Sequence, residues 1–273
     1  MRAHVLIRPQ PWYRREAFCA GLKRAGIEVQ TQQPARPGPD TLLVIWNRYA
    51  GNHELATQVE KAGGTVWVAE NGYLGAGGSS PKFDVHPGGP KAHHYYALAQ
   101  GWHNGRGTWP GSTPPCGPER FARLGVELKP WRTEGDHILI CPNRSFGVGA
   151  QVMHPDWATR TAERIKKHTQ RPVRIRNHPG NDAPKRTLTE DLANAWAVVV
   201  WSSGAAVHAL AAGIPTYIEA PWQILKGAAA LGHIEAPTCP QRAPFFERMA
   251  WAQWTVAEIE SGDAARHLLS AAG

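Results

Sequence analysis

Two serines at the end of an apolar run, followed at once by glycine and small residues, form the segment of this chain best suited to hold an anion. AVVVWSS (197–203) reads as a buried strand and GAAVHALAAG (204–213) as a helix that Gly213 stops. Ser202, Ser203 and the free N–H groups of the first turn, around Gly204–Ala206, make an anion site that the helix dipole supports. Gly204 lets a ligand approach the backbone closely, and Ser203 reads equally well as a plain helix N-cap. In RIRNHPG (174–180) Arg176 and His178 leave another strand together, two apart and so on one side. A guanidinium there offers bidentate contacts to phosphate oxygens. Asn143, Arg144 and Ser145 repeat the pattern at a third strand end. These residues predict a diphosphate held without a P-loop. No G-x-x-x-x-G-K-S/T occurs and no G-x-G-x-x-G follows the first strand, which disfavours ATPase and NAD chemistry.

Such residues need a scaffold that brings strand ends together, and the hydrophobic pattern supplies one. Strands are predicted at 4–8, 41–47, 65–70, 137–144, 172–179, 197–203 and 215–220, with helices at 12–26, 54–64, 156–169, 188–195 and 204–213. Two further helices, near 243–254 and 255–271, close the chain. Alternation of this kind implies α/β architecture with parallel sheets under covering helices. Residues 71–118, rich in Gly, Pro and His, read as a long irregular segment. We therefore expect two Rossmann-like lobes, 1–132 and 133–273, with a cleft between them. Ligands of open α/β sheets bind outside the carboxyl ends of the strands. The residues there are polar: Arg8, Asn47, Glu70-Asn71, Asn143-Arg144-Ser145, Arg176-Asn177-His178, Ser202-Ser203 and Glu219.

Composition narrows the class. The chain has 273 residues, 42% hydrophobic and 19% charged, enough to bury a core. No run approaches the roughly 18–20 apolar residues of a membrane span, and MRAHVLIRPQ lacks the form of a secretory signal. A cytoplasmic protein without membrane attachment is expected. Cys19, Cys116, Cys141 and Cys239 are scattered, which excludes a disulfide scaffold and argues against structural zinc. His86, His93, His94 and His103 show no tight ligand spacing, so no metal is expected. Residues 1–132 hold 16 Lys/Arg against 9 Asp/Glu, and residues 133–273 hold 14 against 13. Nearly all of the formal +8 thus falls in the first lobe, a pattern that suits a polyanionic or acidic partner as well as a simply solvated surface.

The stretch LTEDLANAWAVVVWSSGAAVHALAAGIPTYIEAP, preceded by RNHPG, resembles the donor-binding lobe of GT-B glycosyltransferases. The likeness is to capsule-type sugar transferases and small bacteriophage glycosyltransferases. The matching pieces are the Arg176-Asn177-His178-Pro179 turn, the strand ending Ser202-Ser203 and the helix ending Gly213-Ile214-Pro215. MAWAQWTVAEIESGDA (249–264) resembles the tail of the phage proteins, and the whole likeness covers about 137–264.

This resemblance implies a nucleotide-sugar donor, a UDP-sugar by expectation. Asn143, Arg144, Ser145, Arg176, His178 and the Ser202–Ala205 turn would hold its diphosphate, and Glu219 its ribose. Lys226 could add charge, while His208, inside its helix, reads as a packed residue. An inverting transferase needs a general base. Glu70 is the first candidate, with Asp84 and His53 behind it, and a retaining enzyme would need none.

Arg8, Asn47, Asn71 and Tyr73 would meet the acceptor. With the basic lobe, the phage likeness makes a 5-hydroxymethylpyrimidine in DNA the leading acceptor, since DNA phosphates demand Arg and Lys. A base taken out of the stack could be held by Trp12, Tyr73, Tyr95, Tyr96 or Trp102. The alternatives are an anionic glycan acceptor and a DNA-binding protein that keeps the fold without activity. A monomer or weak dimer is expected.

Overall fold

The computed structural model describes residues 1–10, 13–74, 95–103, 105–112, 117–144, 152–178, 186–221 and 231–271. In chain order these form β1 (Arg2–Val5), α1 (Arg15–Arg24), β2 (Glu28–Gln30), β3 (Thr41–Trp46), α2 (Gly51–Lys61), β4 (Thr65–Asn71), β5 (Tyr95–Gln100) and α3 (Glu119–Arg123). Then follow β6 (His137–Cys141), α4 (Trp157–Lys166), β7 (Val173–Ile175), α5 (Leu188–Leu192), β8 (Ala195–Val200), α6 (Ala205–Ala211) and β9 (Thr216–Ile218). The chain closes with α7 (Ala243–Ala250), β10 (Gln253–Thr255), α8 (Val256–Ser261) and α9 (Asp263–Ser270). Two compact α/β units result: Met1–Gly125 together with Phe245–Gly273, and Val126–Pro244.

The first unit is a six-stranded sheet in the order β10-β5-β4-β3-β1-β2. β1 to β4 are parallel, β5 runs antiparallel to β4, and β10 antiparallel to β5. Every residue of TLLVIW in β3 is buried, because both faces of this strand are covered. Leu42, Val44 and Trp46 face a core shared with α1, α8 and α9, while Leu43 and Ile45 face α2. Burying each such side chain contributes about 1.5–3 kcal/mol. α1 meets α8 at Gly21, where an added Cβ would overlap the Ile259 carbonyl oxygen.

The second unit is a four-stranded parallel sheet in the order β7-β6-β8-β9. β6 and β8 are buried throughout. Ile138, Ile140, Ala197 and Val199 pack with Trp157 and Ile165 of α4, whereas Leu139, Val198 and Val200 pack with Ala206 and Ala209 of α6. The α/β class expected from the sequence is therefore the observed one, in two units.

Three differences from the sequence reading matter. β5 lies inside the segment read as irregular, and β2 and β10 are extra. The two closing helices are α7, β10, α8 and α9, with Gly262 at φ 87° separating the last two helices. The third difference is where the tail belongs: the reading of 133–273 as one lobe includes residues 245–273, but these complete the first unit. β10 adds to the β5 edge, and Arg120 of α3 locks it there. Its guanidinium donates to Glu258 (2.7 Å) and to the carbonyls of Ala250 (3.0 Å) and Gln253 (2.8 Å), and lies 4.2 Å from the Trp254 ring. Burial raises the Glu258 pKa, but the Arg120 and Thr255 hydrogen bonds outweigh it and hold the carboxyl below its usual range. The tail is acidic, so the charge asymmetry vanishes: the units hold 16 Lys/Arg against 12 Asp/Glu and 14 against 10, a formal +4 each.

Candidate functional site

Both units wind alike. In β2-β1-β3-β4 and in β7-β6-β8-β9 the chain moves outward from its first strand and then returns to that strand's other side. The carboxyl ends of β1 and β3, and of β6 and β8, are therefore topological switch points, where open α/β sheets bind ligands.

At the second unit's switch point Asn143 and Ser202 clasp each other. The Asn143 amide nitrogen donates to Ser202 Oγ (3.0 Å), and the Ser202 backbone N–H donates to Asn143 Oδ1 (3.0 Å). The chain past β8 is thus tied to the chain past β6. Ser203 Oγ accepts a long bond from the Ala205 N–H (3.3 Å), a local turn that leads into α6. Gly204 has ordinary helical dihedrals (φ −57°, ψ −17°), and a Cβ on it would meet nothing within 4 Å. Among the described residues, neither a positive φ nor close packing calls for glycine here, and no atom covers the position.

Arg144, Arg176 and His178 share this edge. Burial, then the Arg144 and Arg176 charges, lower the His178 pKa, so the imidazole is neutral near pH 7. Arg176 is also tied down: its guanidinium donates to Asp191 (2.6 Å) and to the Arg186 carbonyl (3.0 Å). Asp191 takes Arg186 on its other oxygen at 3.3 Å. Asp191 and Arg186 are additions to the sequence-derived set. A sequence signal existed: Glu190 completes a capping box with Thr187, which leaves the adjacent Asp191 available to another partner. Glu219 is drawn to α4, accepting from Trp157 Nε1 (2.8 Å), Thr161 (3.5 Å) and Arg164. A ribose contact there would compete with those donors. His208, read as packed, keeps exposed surface because α6 buries Ala206, Val207, Ala209 and Leu210 instead, yet its neighbours desolvate the ring enough to lower its pKa. Ser145 and Lys226 lie outside the described residues, as do Trp12, Asp84, His86, His93, His94 and Cys116.

At the first unit's carboxyl edge, Arg8 is exposed and Asn47 has φ 50°, its N–H bonded to the Ala69 carbonyl (3.0 Å). Glu70, at the end of β4, pairs with Ala97 and falls on the Val66–Val68 face, towards α2; Asn71 falls on the other. Tyr73 stands close enough to Glu70 for burial and that charge to raise its pKa, and its hydroxyl accepts from Trp109 Nε1 (3.2 Å). Gln253 of β10, fully buried, pins this turn by accepting from the Tyr73 and Leu74 N–H groups (2.9 and 3.1 Å). Of the aromatic residues expected to hold a base, Tyr96 is fully buried in the core. Trp102 carries Arg106 at 3.3 Å and Arg48 at 4.6 Å from its ring.

Arg48, not singled out in the sequence, is the buried cation of this edge: 3% exposed, bonded to both Glu60 oxygens (2.6 Å each) and to the Gly101 carbonyl (2.6 Å). Its backbone N–H donates to His103 Nδ1 (3.2 Å). Burial, then Arg106 and Arg48, push the His103 pKa down to about 4. That residue is therefore a neutral, packed imidazole with its proton on Nε2. His53 Nδ1 accepts from Arg48 Nε (3.4 Å), which occupies the nitrogen a base would use. Among the described residues there is no group of three or more His, Cys, Asp or Glu able to hold a metal ion. Among them, too, no helix is long and apolar enough to cross a membrane.

Fold and edge chemistry together define an α/β protein with a polar, arginine-rich edge at a switch point. No family model matches the chain, and no curated protein matches it. Among solved structures, the chain is similar to one described as KpsC, beta Kdo 2,7 transferase, from Thermosulfurimonas dismutans. The match covers 97% of this chain and 100% of that one, with 13% identity and a TM-score of 0.45. An overlap this loose transfers neither residue roles nor a reaction.

Proposed function

We propose that the chain is a nucleotide-sugar-dependent glycosyltransferase whose second unit binds the donor's phosphates, a UDP-sugar being the first to test. The observation that supports this reading is the space over Gly204, open among the described residues, flanked by the Asn143–Ser202 clasp and on the same edge as Arg144, Arg176 and His178. Backbone N–H groups of the Ser202–Ala205 turn and the guanidiniums would stabilise the charge that grows on the leaving phosphate. The acceptor hydroxyl attacks the anomeric carbon, the bond from that carbon to the phosphate oxygen breaks, and the hydroxyl proton passes to a base. Glu70 is the proposed base.

Even charge on the two units removes the reason for preferring a nucleic acid over a glycan, so the acceptor is defined here as a hydroxyl. The experiment supplies both kinds. The protein is incubated with a panel of nucleotide sugars and either 5-hydroxymethylpyrimidine-containing DNA or anionic oligosaccharides, and products are read by mass spectrometry. A gain of one sugar residue on either acceptor supports the reading and names the acceptor class. With Glu70→Gln the transfer should be lost while donor binding, read by calorimetry, persists. Absence of both transfer and nucleotide-sugar binding overturns the reading.

A further inference from the structure

The first unit has a second concavity, on the outer flank of its sheet. Among the described residues β2 is the last strand on that side and pairs with β1 alone, so α1 overhangs an edge with no further described strand beneath it. α1 turns Ala17, Phe18, Gly21 and Leu22 into the core and leaves its other side over the end of β2. Between them lies a cavity of about 720 Å³ that includes the Gln30–Gln32 stretch. That volume falls within the ~300–1,000 Å³ of small-molecule sites.

Its lining is divided by chemistry. Cys19, Ala20 and Val29 supply apolar surface, whereas Arg15 and Lys23 of α1 supply positive charge. Among the described lining residues the one carboxylate, Glu16, is bonded by Arg15 at 3.4 Å. Lys23 makes no ion pair among the described residues. Two cations against one carboxylate leave one net positive charge, which suits a monoanion. A carboxylate taken from water into such a site requires a charged partner.

We propose that this concavity binds a small organic monocarboxylate, its head group at Lys23, its apolar body on Cys19, Ala20 and Val29, with the Arg15 charge adding to the field. The site is built entirely from the first unit's outer flank and does not depend on the glycosyltransferase reading.

Cys19 makes the proposal testable without any activity assay, because this half-buried free cysteine is one of the residues lining the cavity. The intact chain is treated with dithiodipyridine, an uncharged disulfide. The Cys19 thiolate attacks it, forming a mixed disulfide and releasing thiopyridone. The rate is followed at the Cys19 peptide by mass spectrometry, with naphthoate or its uncharged isostere naphthamide present at millimolar concentration. For a site with a Kd of about 1 mM, naphthoate at about 2 mM should slow labelling about threefold and naphthamide clearly less, since protection grows as 1 + [L]/Kd. The Arg15→Gln/Lys23→Gln double variant, changed only at exposed or half-exposed positions, should lose that difference. Equal slowing by the two compounds, slowing by neither, or a difference that survives in the double variant overturns the proposal.

Discussion

Asn143 and Ser202 are 59 residues apart in the chain, yet each is both donor and acceptor to the other, through two bonds of 3.0 Å. Their strands, β6 and β8, are neighbours because β7 was laid on the far side of β6. The pair therefore marks the switch point itself, and it sets where the Ser202–Ala205 turn begins.

Asn143→Ala removes both bonds and leaves the Ser202 N–H without its side-chain acceptor. The expected destabilisation is about 1–3 kcal/mol, since each net hydrogen bond contributes about 0.5–1.5 kcal/mol. Nucleotide-sugar affinity should fall about tenfold, as a loss of about 1.4 kcal/mol implies. Calorimetry and urea unfolding check the two separately; unchanged affinity would remove Asn143 from the proposed donor site.

Gly204→Val separates fold from site. The position has helical dihedrals and, among the described residues, no atom within 4 Å of an added Cβ, so the variant should still fold, its urea midpoint lowered only by the small preference of a helix N-cap for glycine over valine. A branched side chain would nonetheless fill the space proposed for phosphate and should abolish donor binding. Normal binding with normal stability would place the donor elsewhere.

Gly21→Ala tests the α1–α8 contact. The new methyl overlaps the Ile259 carbonyl, and backbone cannot turn aside as a flexible side chain can. Overpacking of this kind costs about 1–3 kcal/mol, here felt as loosening of the C-terminal tail. Hydrogen exchange across α8 and β10 should rise in the variant.

His103 predicts an acid-sensitive first unit. Its folded pKa of about 4 lies below the ordinary 6.5, so the unfolded chain takes up the proton first as pH falls. The stabilisation is complete above about pH 6.5 and is lost progressively down to about pH 4. His103→Asn keeps an acceptor for the Arg48 N–H but cannot titrate, and should flatten urea stability over that window. A wild-type slope in the variant would assign the sensitivity to other groups.

Much of this was legible locally. Continuous apolar runs announced β3, β6 and β8, because a strand covered on both faces needs apolar residues on both. The turn residues announced where polar groups would leave those strands. Gly213, at φ 74°, ended α6 where the sequence placed the stop, since glycine adopts that conformation freely.

The sequence by itself determined two α/β patterns and a list of strand-end residues, properties carried by runs of five to ten neighbours. Tertiary structure decided their partners. It sent the tail back through β10 to the first unit, because Trp254 and the Arg120–Glu258 pair find their matching surface there. That return evened the charge that had made one lobe look basic. It also chose among candidates of equal local merit. Arg176 went to Asp191 and Glu219 to Trp157 and Arg164, while Asn143 reached Ser202. A polar side chain's role depends on which groups share its low-dielectric surroundings, and those are set by strand order and packing across distant parts of the chain.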